Sequence, residues 1–394
     1  MKVLVASHNY PRSQDDPAGA FVARLAAGVA ARGHQVLVVA PHARGLADES
    51  AESGVTVRRF RYAPEPLERV AYRGDLHRIA WQSPLVAAVV PFFLSAYGRA
   101  IRRQAREFRA DLVHAHWWFP GGWAAAGAGC PFVVTCHGTD VRLLDQFCFF
   151  RRMAARVFAR AAAVTTVSGF LSEDLRRLLG PRAPVPVVTP MPVDLERFAQ
   201  TAHLPRATPP RILFAGNLLR SKGVDLVIRA VRMLTDRSIE CRFRVVGEGP
   251  ARRDLGRLAA ELGVAQYVEF AGWVPLPDMP GEYAAATVTV LPTRGRAEGL
   301  GLALVEALMA GCAVVGSPAG GIPEVVRHED TGLLARDGDA ADFAEQLRRM
   351  LTDADLRRRT VERGRAHVRR TYAPDASVSA VLSVYHAAVG RAID

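Results

Sequence analysis

Short apolar runs typical of buried β-strands alternate along the whole chain with segments of helical periodicity. In the first half the strand candidates are the runs KVLVAS, QVLVVA, VTVRRF, DLVHAH, FVVTCH, AVTTVS and VPVVTP. In the second half they are the runs RILFAG, RFRVVG, YVEFAG, TVTVLP and CAVVGS. Strands that alternate with helices build parallel sheets of βαβ units, so the pattern predicts an α/β fold.

Both halves begin with the same order of a strand, a loop rich in turn residues and a helix. The first helix is predicted over 21–32, where Gly33 ends it. A proline-rich segment, 187–211, separates the halves and is predicted to be an interdomain linker. We therefore predict two Rossmann-like domains, at 1–190 and 205–375, that face each other across a ligand cleft at the carboxyl ends of their strands.

Length and composition narrow the class of protein. A chain of 394 residues is long enough for two domains, and its apolar fraction of 49% can fill two cores. The five cysteines have no metal-ligand spacing and are expected to be reduced thiols, so no metal site is predicted. The N-terminal stretch MKVLVASHNYP has too short an apolar run for a signal peptide, and we expect a cytoplasmic protein.

The net charge of +12 indicates an anionic partner. The arginines are spread along the chain without a nucleic-acid motif, so no nucleic acid is predicted to bind. The apolar stretch 83–103 has an uninterrupted core, 85–94, that is too short to span a membrane and contains Pro91. It is expected to be a buried helix or, because arginines follow at 99–106, an interfacial helix at the inner face of a membrane.

Lysine occurs only at Lys2 and Lys222 in a chain that otherwise uses arginine. Lys222 lies just before a predicted helix, where backbone N–H groups, the helix dipole and the ammonium group converge, and this combination suits a phosphate. The alternative is an exposed lysine in a loop. The string VVGEGP also follows a strand, but two glycines alone indicate a tight strand–helix turn better than a binding loop.

Two carboxylates, Glu298 and Glu306, stand in the otherwise apolar, glycine-rich segment RAEGLGLALVEALMAG. A helix is predicted to start between Gly299 and Leu302, which leaves Glu298 in the loop and Glu306 inside the helix. Three interpretations remain open from the residues alone. The glutamates flank a glycosidic bond as in hydrolases, hydrogen-bond sugar hydroxyls, or pair with arginines.

The first half has its own candidates at strand ends. His137 and Asp140 follow the strand FVVTCH directly, and Gly19 lies at a helix start where a backbone amide can meet a phosphate. His114 and His116 alternate on one strand without a third ligand, so no metal is predicted there. Two DxD strings, at 337–339 and 353–355, are interpreted as helix caps or solvated faces rather than metal ligands.

Together these segments resemble glycosyltransferase family 4, whose members have the GT-B fold. The resemblance rests on EGLGLALVEALMAG, GGIPEVV, TGLLARDGD, VVGEGP, KGVDLVIRA and CHGTD, which occur in the family order. It implies a retaining, metal-independent hexosyltransferase that uses a nucleotide diphosphate sugar and no further cofactor. A glycan, a lipid-linked molecule or a small molecule would accept the sugar, and a C-terminal helix over 376–394 would pack on the first domain.

The resemblance also implies roles for individual residues. Glu298 would bind the donor sugar's hydroxyls, Glu306 the ribose, and His137 the sugar near the reacting carbon. The implied donor-binding residues are Gly19, Asn217, Arg220, Lys222, Trp273, Val274, Gly299, Leu300, Gly301, Leu302 and Glu306. The implied catalytic residues are His137, Glu298 and Lys222, and the implied acceptor residues are His116 and Asp140.

The chain departs from the family pattern at one position of the predicted phosphate grip. The family reads Gly-Arg where this chain has Gly216-Asn217, and a neutral asparagine cannot supply the missing charge. Arg220 is the candidate substitute. Two other functions stay open from the sequence, a nucleotide-sugar epimerase that uses His137 with Glu298 and a non-catalytic, basic membrane-binding protein.

Overall fold

The chain forms two compact units in a computed structural model that describes residues 1–13, 16–72, 83–181 and 183–390. Unit 1 comprises Met1–Pro192 and Pro374–Asp394, and unit 2 comprises Val193–Ala373. Each unit has its own parallel sheet and its own apolar core. The predicted fold class, α/β with two Rossmann-like domains, is confirmed.

Unit 1 is built on a sheet in the order β3-β4-β2-β1-β5-β6-β7-β8, parallel except for the edge strand β3. Its strands are β1 (Lys2–Ala6), β2 (Gln35–Pro41), β3 (Glu49–Glu52), β4 (Val55–Phe60), β5 (Leu112–His116), β6 (Phe132–Cys136), β7 (Ala163–Thr166) and β8 (Val187–Val188). Every residue of β5 and β6 is buried. Helices cover both faces of such a sheet, which is why these strands read as continuous apolar runs.

The helices of unit 1 lie between these strands and after unit 2. They are α1 (Ala20–Ala31), α2 (Pro84–Phe108), α3 (Trp123–Ala125), α4 (Thr139–Gln146), α5 (Cys148–Arg160), α6 (Gly169–Leu179) and α15 (Pro374–Gly390). Ser83 and Ser168 cap α2 and α6 by accepting from backbone N–H groups of the first turn. Gly33 has a left-handed φ of 84° directly after α1, as predicted.

Helix α2 is longer than the apolar core predicted from sequence, because it continues through Pro91 to Phe108. Within the described residues it is the one helix long and apolar enough to cross a membrane by length and composition. However, 44% of its most apolar window is buried inside the protein. Phe93, Tyr97 and Ile101 face the core, whereas Leu85 and Phe92 are exposed. The helix therefore combines the two predicted characters, a buried face and an exposed apolar face.

The C-terminal helix α15 belongs to unit 1 although unit 2 precedes it in the chain. A side chain at Gly28 of α1 would come within 2.5 Å of Val378, so the two helices pack closely. The Tyr385 hydroxyl lies 2.6 Å from His114 Nδ1 at the centre of the sheet. This helix thus supplies both apolar contact and a partner for a buried ring nitrogen.

Unit 2 has a fully parallel sheet in the order β11-β10-β9-β12-β13-β14. Its strands are β9 (Arg211–Ala215), β10 (Arg242–Val246), β11 (Val268–Gly272), β12 (Val288–Leu291), β13 (Ala313–Gly316) and β14 (Leu333–Leu334). Its helices are α7 (Leu195–Ala199), α8 (Val224–Asp236), α9 (Arg252–Glu261), α10 (Met279–Ala285), α11 (Leu302–Met309), α12 (Ile322–Val325), α13 (Ala340–Thr352) and α14 (Ala354–Tyr372).

The two DxD strings and the proline-rich segment 187–211 all lie in or next to regular secondary structure. Asp339 and Asp353 are the N-caps of α13 and α14, so one carboxylate of each DxD string caps a helix, and Asp355 lies on an exposed face where it pairs with Arg358. The segment 187–211, predicted to be an interdomain linker, contains the unit boundary between Pro192 and Val193, and it also contains β8 and α7. Leu195 and Phe198 are buried in the core of unit 2, so the few apolar residues among the prolines are enough to fix the segment.

Candidate functional site

Two loops meet at the carboxyl ends of adjacent strands in unit 2. One follows β9 and carries Lys222, and the other follows β12 and carries Glu298. Lys222 Nζ donates to Glu298 Oε2 at 2.7 Å, and the two side chains are only 19% and 15% exposed. Thr293 Oγ1 donates to the same carboxylate oxygen at 3.4 Å. Because the pair is largely screened from water, its attraction is stronger than that of a surface ion pair.

A second ion pair, between Arg294 and Asp225, fixes the distance between these loops. The two guanidinium Nη atoms donate to the two carboxylate oxygens at 2.8 and 2.7 Å. The same arginine donates to the carbonyl of Arg220 at 3.1 Å, and its backbone N–H donates to that of Ser221 at 2.8 Å. Sequence reasoning missed this pair, because nothing in the sequence shows that two residues 69 positions apart are partners.

Glycines allow the loop backbones to approach each other. Gly223 has φ +67°, and a Cβ there would lie 2.0 Å from the carbonyl oxygen of Pro292. Gly320 has φ +58°, and a Cβ there would lie 1.9 Å from the carbonyl oxygen of Glu298. Both conditions, a left-handed φ and no space for a side chain, are met only by glycine. Gly320, the first residue of the string GGIPEVV, is therefore required for the position of the Glu298 backbone.

Glu298 and Glu306 are separated by the start of α11, as predicted. Gly301 precedes the helix with φ +89°, and no side chain caps the first turn. Leu300 is buried and anchors the loop, whereas Gly299 and Leu302 are partly exposed. Backbone N–H groups of a first turn without a side-chain cap are suited to an anion.

Glu306 lies in the second turn of α11 and is partly buried. The hydroxyl of Tyr283 on α10 donates to Glu306 Oε2 at 2.8 Å. Burial, together with this neighbouring carboxylate, raises the pKa of Tyr283 well above its usual value, so the phenol stays protonated. The tyrosine thus orients one carboxylate oxygen.

The predicted substitute for the missing arginine points elsewhere. The side chain of Arg220 is 90% exposed and donates to Asp254 Oδ2 at 3.1 Å on α9. Asn217 is exposed at the end of β9. The replacement of the missing charge by Arg220 remains a prediction, and in this structure the guanidinium has another partner.

Trp273 and Val274 follow β11 at the same edge of the sheet. Trp273 is 59% exposed, an unusual position for the largest side chain. The preceding Gly272 carbonyl accepts from the N–H of Gly247 at 2.7 Å. A Cβ at Gly247 would lie 2.1 Å from the Gly216 carbonyl oxygen, which supports the interpretation of VVGEGP as a tight turn.

In unit 1 the carboxyl ends of β5 and β6 carry a cluster of aromatic rings. His116 Nδ1 lies 2.9 Å from His137 Nε2, and the Trp117 ring packs against His137 with centroids 4.4 Å apart. Trp117 has a left-handed φ of 62°, which strains a residue with a Cβ. His116 is fully buried and its Nε2 has no hydrogen-bond partner among the described residues. His137 is partly exposed, so it is the member of the pair that a ligand can reach.

Asp140, which was predicted to contact the acceptor, is held by backbone N–H groups in this structure. It is 4% exposed, and its Oδ1 accepts from the backbone N–H groups of His137, Gly138 and Val141. Its Oδ2 accepts from the N–H of Trp118 at 3.0 Å. Four backbone donors occupy the carboxylate, which ties the two loops together instead of facing a ligand.

Gly19 lies at the N-cap of α1 with φ +71°, where a Cβ would come within 2.0 Å of the Asn9 carbonyl oxygen. Its place at the helix start agrees with the sequence, and the close backbone approach explains the glycine without a ligand. Its predicted contact with a phosphate remains a prediction.

Burial keeps the histidines of this cluster neutral. His8 and His114 belong to the cluster, because their rings lie 4.7 Å from that of Trp117 and 4.2 Å from that of His116. Burial lowers the pKa of His8 to about 4 and that of His114 to about 3. It also lowers the pKa values of His116 and His137 well below the usual range, and neighbouring histidines add to this effect. His137 is therefore a neutral hydrogen-bonding group at pH 7, not a cation.

Comparison with known proteins gives two family matches that together cover most of the chain. The profile described as Glycosyltransferase Family 4 matches residues 18–197, and that described as Glycosyl transferases group 1 matches residues 196–367. A D-inositol 3-phosphate glycosyltransferase of Streptomyces scabiei is 33% identical over 310 residues, which are 71% of this chain and 68% of that protein.

Two further proteins resemble the chain over most of its length. A GDP-mannose-dependent alpha-(1-6)-phosphatidylinositol monomannoside mannosyltransferase of Mycobacterium tuberculosis is 28% identical over 377 residues, 90% of each chain. The structure of sucrose-phosphate synthase from Thermosynechococcus elongatus superposes with a TM-score of 0.80 at 22% identity and covers 98% of both chains. The latter supports the fold alone.

The histidine cluster predicts a loss of stability in mild acid. The unfolded chain binds protons at these histidines below about pH 6.5 while the folded chain does not, so stability is full above that value and falls as the pH drops toward 4. Each histidine contributes a slope of about 1.4 kcal/mol per pH unit. His8→Phe removes one of them, and denaturation between pH 7.5 and 5 should show a flatter slope. The exposed His203→Gln is the control, and an unchanged slope in His8→Phe would contradict the prediction.

The close approach at Gly320 predicts a specific cost for a methyl group. Gly338 also has a left-handed φ, +73°, but a Cβ there would meet no atom within 4 Å. Gly338→Ala should therefore lower the free energy of unfolding only by the backbone strain, about 1 kcal/mol. Gly320→Ala adds a collision with the Glu298 carbonyl and should cost about 1–3 kcal/mol more. Urea denaturation measures both, and equal destabilisation would contradict the proposed loop contact.

Proposed function

Because the chain belongs to glycosyltransferase family 4 and has the GT-B fold, it transfers a sugar from a nucleotide sugar, and we propose that it is a retaining, metal-independent hexosyltransferase with Lys222 and Glu298 at its donor site. The relatives are glycosyltransferases and give no support to the epimerase or the non-catalytic binding protein.

The observation that carries the proposal is the ion pair between Lys222 and Glu298 at the carboxyl ends of β9 and β12. Open α/β sheets bind ligands at this edge. A nucleotide diphosphate sugar offers each partner a replacement, since its phosphates attract the ammonium group and its hydroxyls donate to the carboxylate. Donor binding would therefore exchange the internal ion pair for two contacts with the substrate.

Stabilisation of the departing diphosphate is the main chemical demand of the reaction. Lys222 supplies one positive charge, and the first turn of α11, which begins at Leu302 and has no side-chain cap, supplies backbone N–H groups. The carboxylates of Asp339 and Asp353, which in a DxD string can hold a metal on a diphosphate, serve here as helix caps. These features support a grip on the phosphates by protein groups alone.

The rest of the donor has predicted contacts along the same edge. Glu306, oriented by Tyr283, is proposed to accept from the ribose hydroxyls. Trp273 is proposed to stack on the base, because it is exposed and large, with Val274 beside it. Because Asn217 is neutral, Lys222 and backbone N–H groups would bind the phosphates.

The proposed reaction proceeds on one face of the sugar. The acceptor oxygen forms a bond to the anomeric carbon as the bond from that carbon to the phosphate oxygen breaks, and the acceptor proton passes to the departing phosphate. Glu298 is then proposed as a positioning group that accepts from the sugar hydroxyls once Lys222 binds the phosphates, while Thr293 donates to the same carboxylate. His137 is proposed to contact the sugar in its neutral form, and the segment 116–122 is proposed to meet the acceptor.

Replacement of either partner of the ion pair should reduce activity strongly. Glu298→Gln and Lys222→Ala should each lose about a hundredfold in turnover of a nucleotide sugar, the scale of one transition-state contact. Arg232→Ala, which replaces an exposed side chain of α8 that pairs with Asp236, is the control and should retain full activity. Near-wild-type turnover in both site variants would contradict the assignment.

The nucleotide of the donor must be identified before turnover can be measured. The anomeric configuration of the reaction product then tests whether the enzyme retains or inverts the sugar. A thermal-shift screen of UDP, GDP, ADP and dTDP identifies the base, because a ligand that binds only the folded state raises its stability. NMR of the product then gives the anomeric configuration, which should match that of the donor sugar. Inversion, or loss of activity in excess EDTA, would overturn the retaining or the metal-independent part of the proposal.

We further propose that unit 1 uses α2 and α5 to bind the inner face of an anionic membrane. Phe92 and Phe149 are 66% and 70% exposed, and between the two helices lies a groove of about 1010 Å³. Arginines of both helices line it: Arg102, Arg152, Arg156 and Arg160. Exposed aromatic side chains next to arginines are suited to the interface of an anionic bilayer. A lipid-linked acceptor would be reached there, and the name of the mycobacterial relative includes such a lipid.

Co-sedimentation with vesicles tests the membrane proposal. The chain should bind vesicles rich in phosphatidylglycerol at low salt and lose binding as the salt concentration rises, because surface charges are screened. Phe92→Ser combined with Phe149→Ser should weaken binding several-fold. Val185→Ser, an equally exposed apolar side chain outside both helices, is the control. No binding at low salt would contradict the proposal.

A further inference from the structure

A second cavity, of about 790 Å³, lies in unit 2 at the opposite edge of the sheet from Lys222 and Glu298. Its walls include the segment 206–210 before β9, Thr287 before β12, and Gly311 and Ala313 at the start of β13. One face of α14 closes it. The five residues of β9 separate the two edges by about 16 Å, at roughly 3.3 Å per residue.

The cavity has an excess of positive charge. Its lining contains four arginines and one glutamate, namely Arg206, Arg357, Arg358, Arg365 and Glu362. Arg358 pairs with Asp355 at 3.0 Å, outside the cavity lining. Among the described residues the other three arginines make no ion pair within 4.0 Å, although Asp353 interacts electrostatically with Arg357 and Glu196 with Arg365. No aromatic side chain lines the cavity.

Two of these arginines are fixed by backbone carbonyl groups. Arg206 donates to the carbonyls of Ala284, Ala286 and Gly311, and Arg357 donates to those of Met350 and Leu351. Neutral carbonyls orient a guanidinium but do not cancel its charge. The positions of both groups are therefore set before any ligand arrives.

Unlike Arg206 and Arg357, Arg365 is not oriented by backbone carbonyl groups of the described residues. It is partly buried, and its guanidinium makes no hydrogen bond or ion pair with residues 1–13, 16–72, 83–181 or 183–390. Burial lowers its pKa, as does the neighbouring charge of Arg369, and the carboxylate of Glu196 opposes this shift only in part. Burial and the charge of Arg206 likewise lower the pKa of Arg357, against the opposing charge of Asp353. An anion in the cavity would relieve both effects, because it favours the charged form of each arginine.

We propose that this cavity binds a phosphorylated small molecule of sugar-phosphate size, at a site separate from the donor site. Its volume lies in the range of small-molecule pockets, about 300–1,000 Å³. Guanidinium groups are the preferred partners of phosphate, since their planar N–H donors match its oxygens. Thr208 and Thr287 add hydroxyl groups for a polyol. The lack of an aromatic side chain favours a sugar phosphate over a nucleotide base.

Calorimetric titration of the full chain tests the proposal, with glucose 6-phosphate and inorganic pyrophosphate as probes. The titrations use a Lys222→Ala background, so that the phosphate grip of the donor site does not contribute. At least one probe should bind with one site per chain. Arg365→Gln should weaken that binding at least tenfold, and Arg365→Lys, which keeps the charge, should weaken it less.

The matched control is Arg363→Gln, two residues away on the same helix, where an exposed arginine pairs with Asp330 at 3.2 Å. It should change the affinity less than twofold. Thermal unfolding shows whether each variant folds, and the probe that binds should raise the midpoint of the Lys222→Ala chain but not of its Arg365→Gln derivative. No heat with either probe, or equal affinities for Arg365→Gln and Arg363→Gln, would overturn the proposal.

Discussion

The ion pair between Lys222 and Glu298 depends on how closely two loop backbones approach each other. Its 2.7 Å contact joins residues that are 76 positions apart in the sequence, and only the parallel order of β9 and β12 brings their loops together. Gly223 and Gly320 allow the contact because neither has a Cβ. Arg294 then holds the spacing by binding Asp225 with two hydrogen bonds. The close backbone contacts thus set the positions of the two loops, and the charged side chains pair across them.

Unit 1 uses the same edge of its sheet in a different chemical way. Its strand ends carry neutral histidines rather than an exposed charge, because burial there disfavours the imidazolium form. Asp140 is the one carboxylate of the predicted set in that unit, and four backbone N–H groups occupy it. Unit 1 therefore offers hydrogen bonds and apolar rings, whereas unit 2 offers a cation, a carboxylate and a helix N-terminus.

Much of the fold could be predicted because apolar runs mark strands that are buried on both faces. The failures have physical causes. Strand β3, Glu49–Glu52, is exposed along its whole length and pairs antiparallel at an edge, so it lacks an apolar signal. Helix α7 was hidden among prolines because only Leu195 and Phe198 provide its apolar face.

The spacing of glycines and glutamates in the sequence indicated the predicted site residues. Glycine is informative there because a helix start and a close approach of two backbones both require it. The partners of those residues could not be predicted. The pairing of Arg294 with Asp225, and of Arg220 with Asp254, depends on tertiary distances that charge patterns along the chain do not contain. The surroundings of Asp140 could not be predicted for the same reason, since its four backbone donors come from two separate loops.

The central claim is that Lys222 and Glu298 act together on one bound nucleotide sugar. A double-mutant cycle on kcat/KM with Lys222→Ala and Glu298→Gln tests it most directly, because residues that act as a unit give non-additive losses. Each single variant should lose about a hundredfold, and the double variant should lose little more than either. A double variant that loses the product of the two effects, about ten-thousandfold, would show that the residues act independently and would contradict the claim.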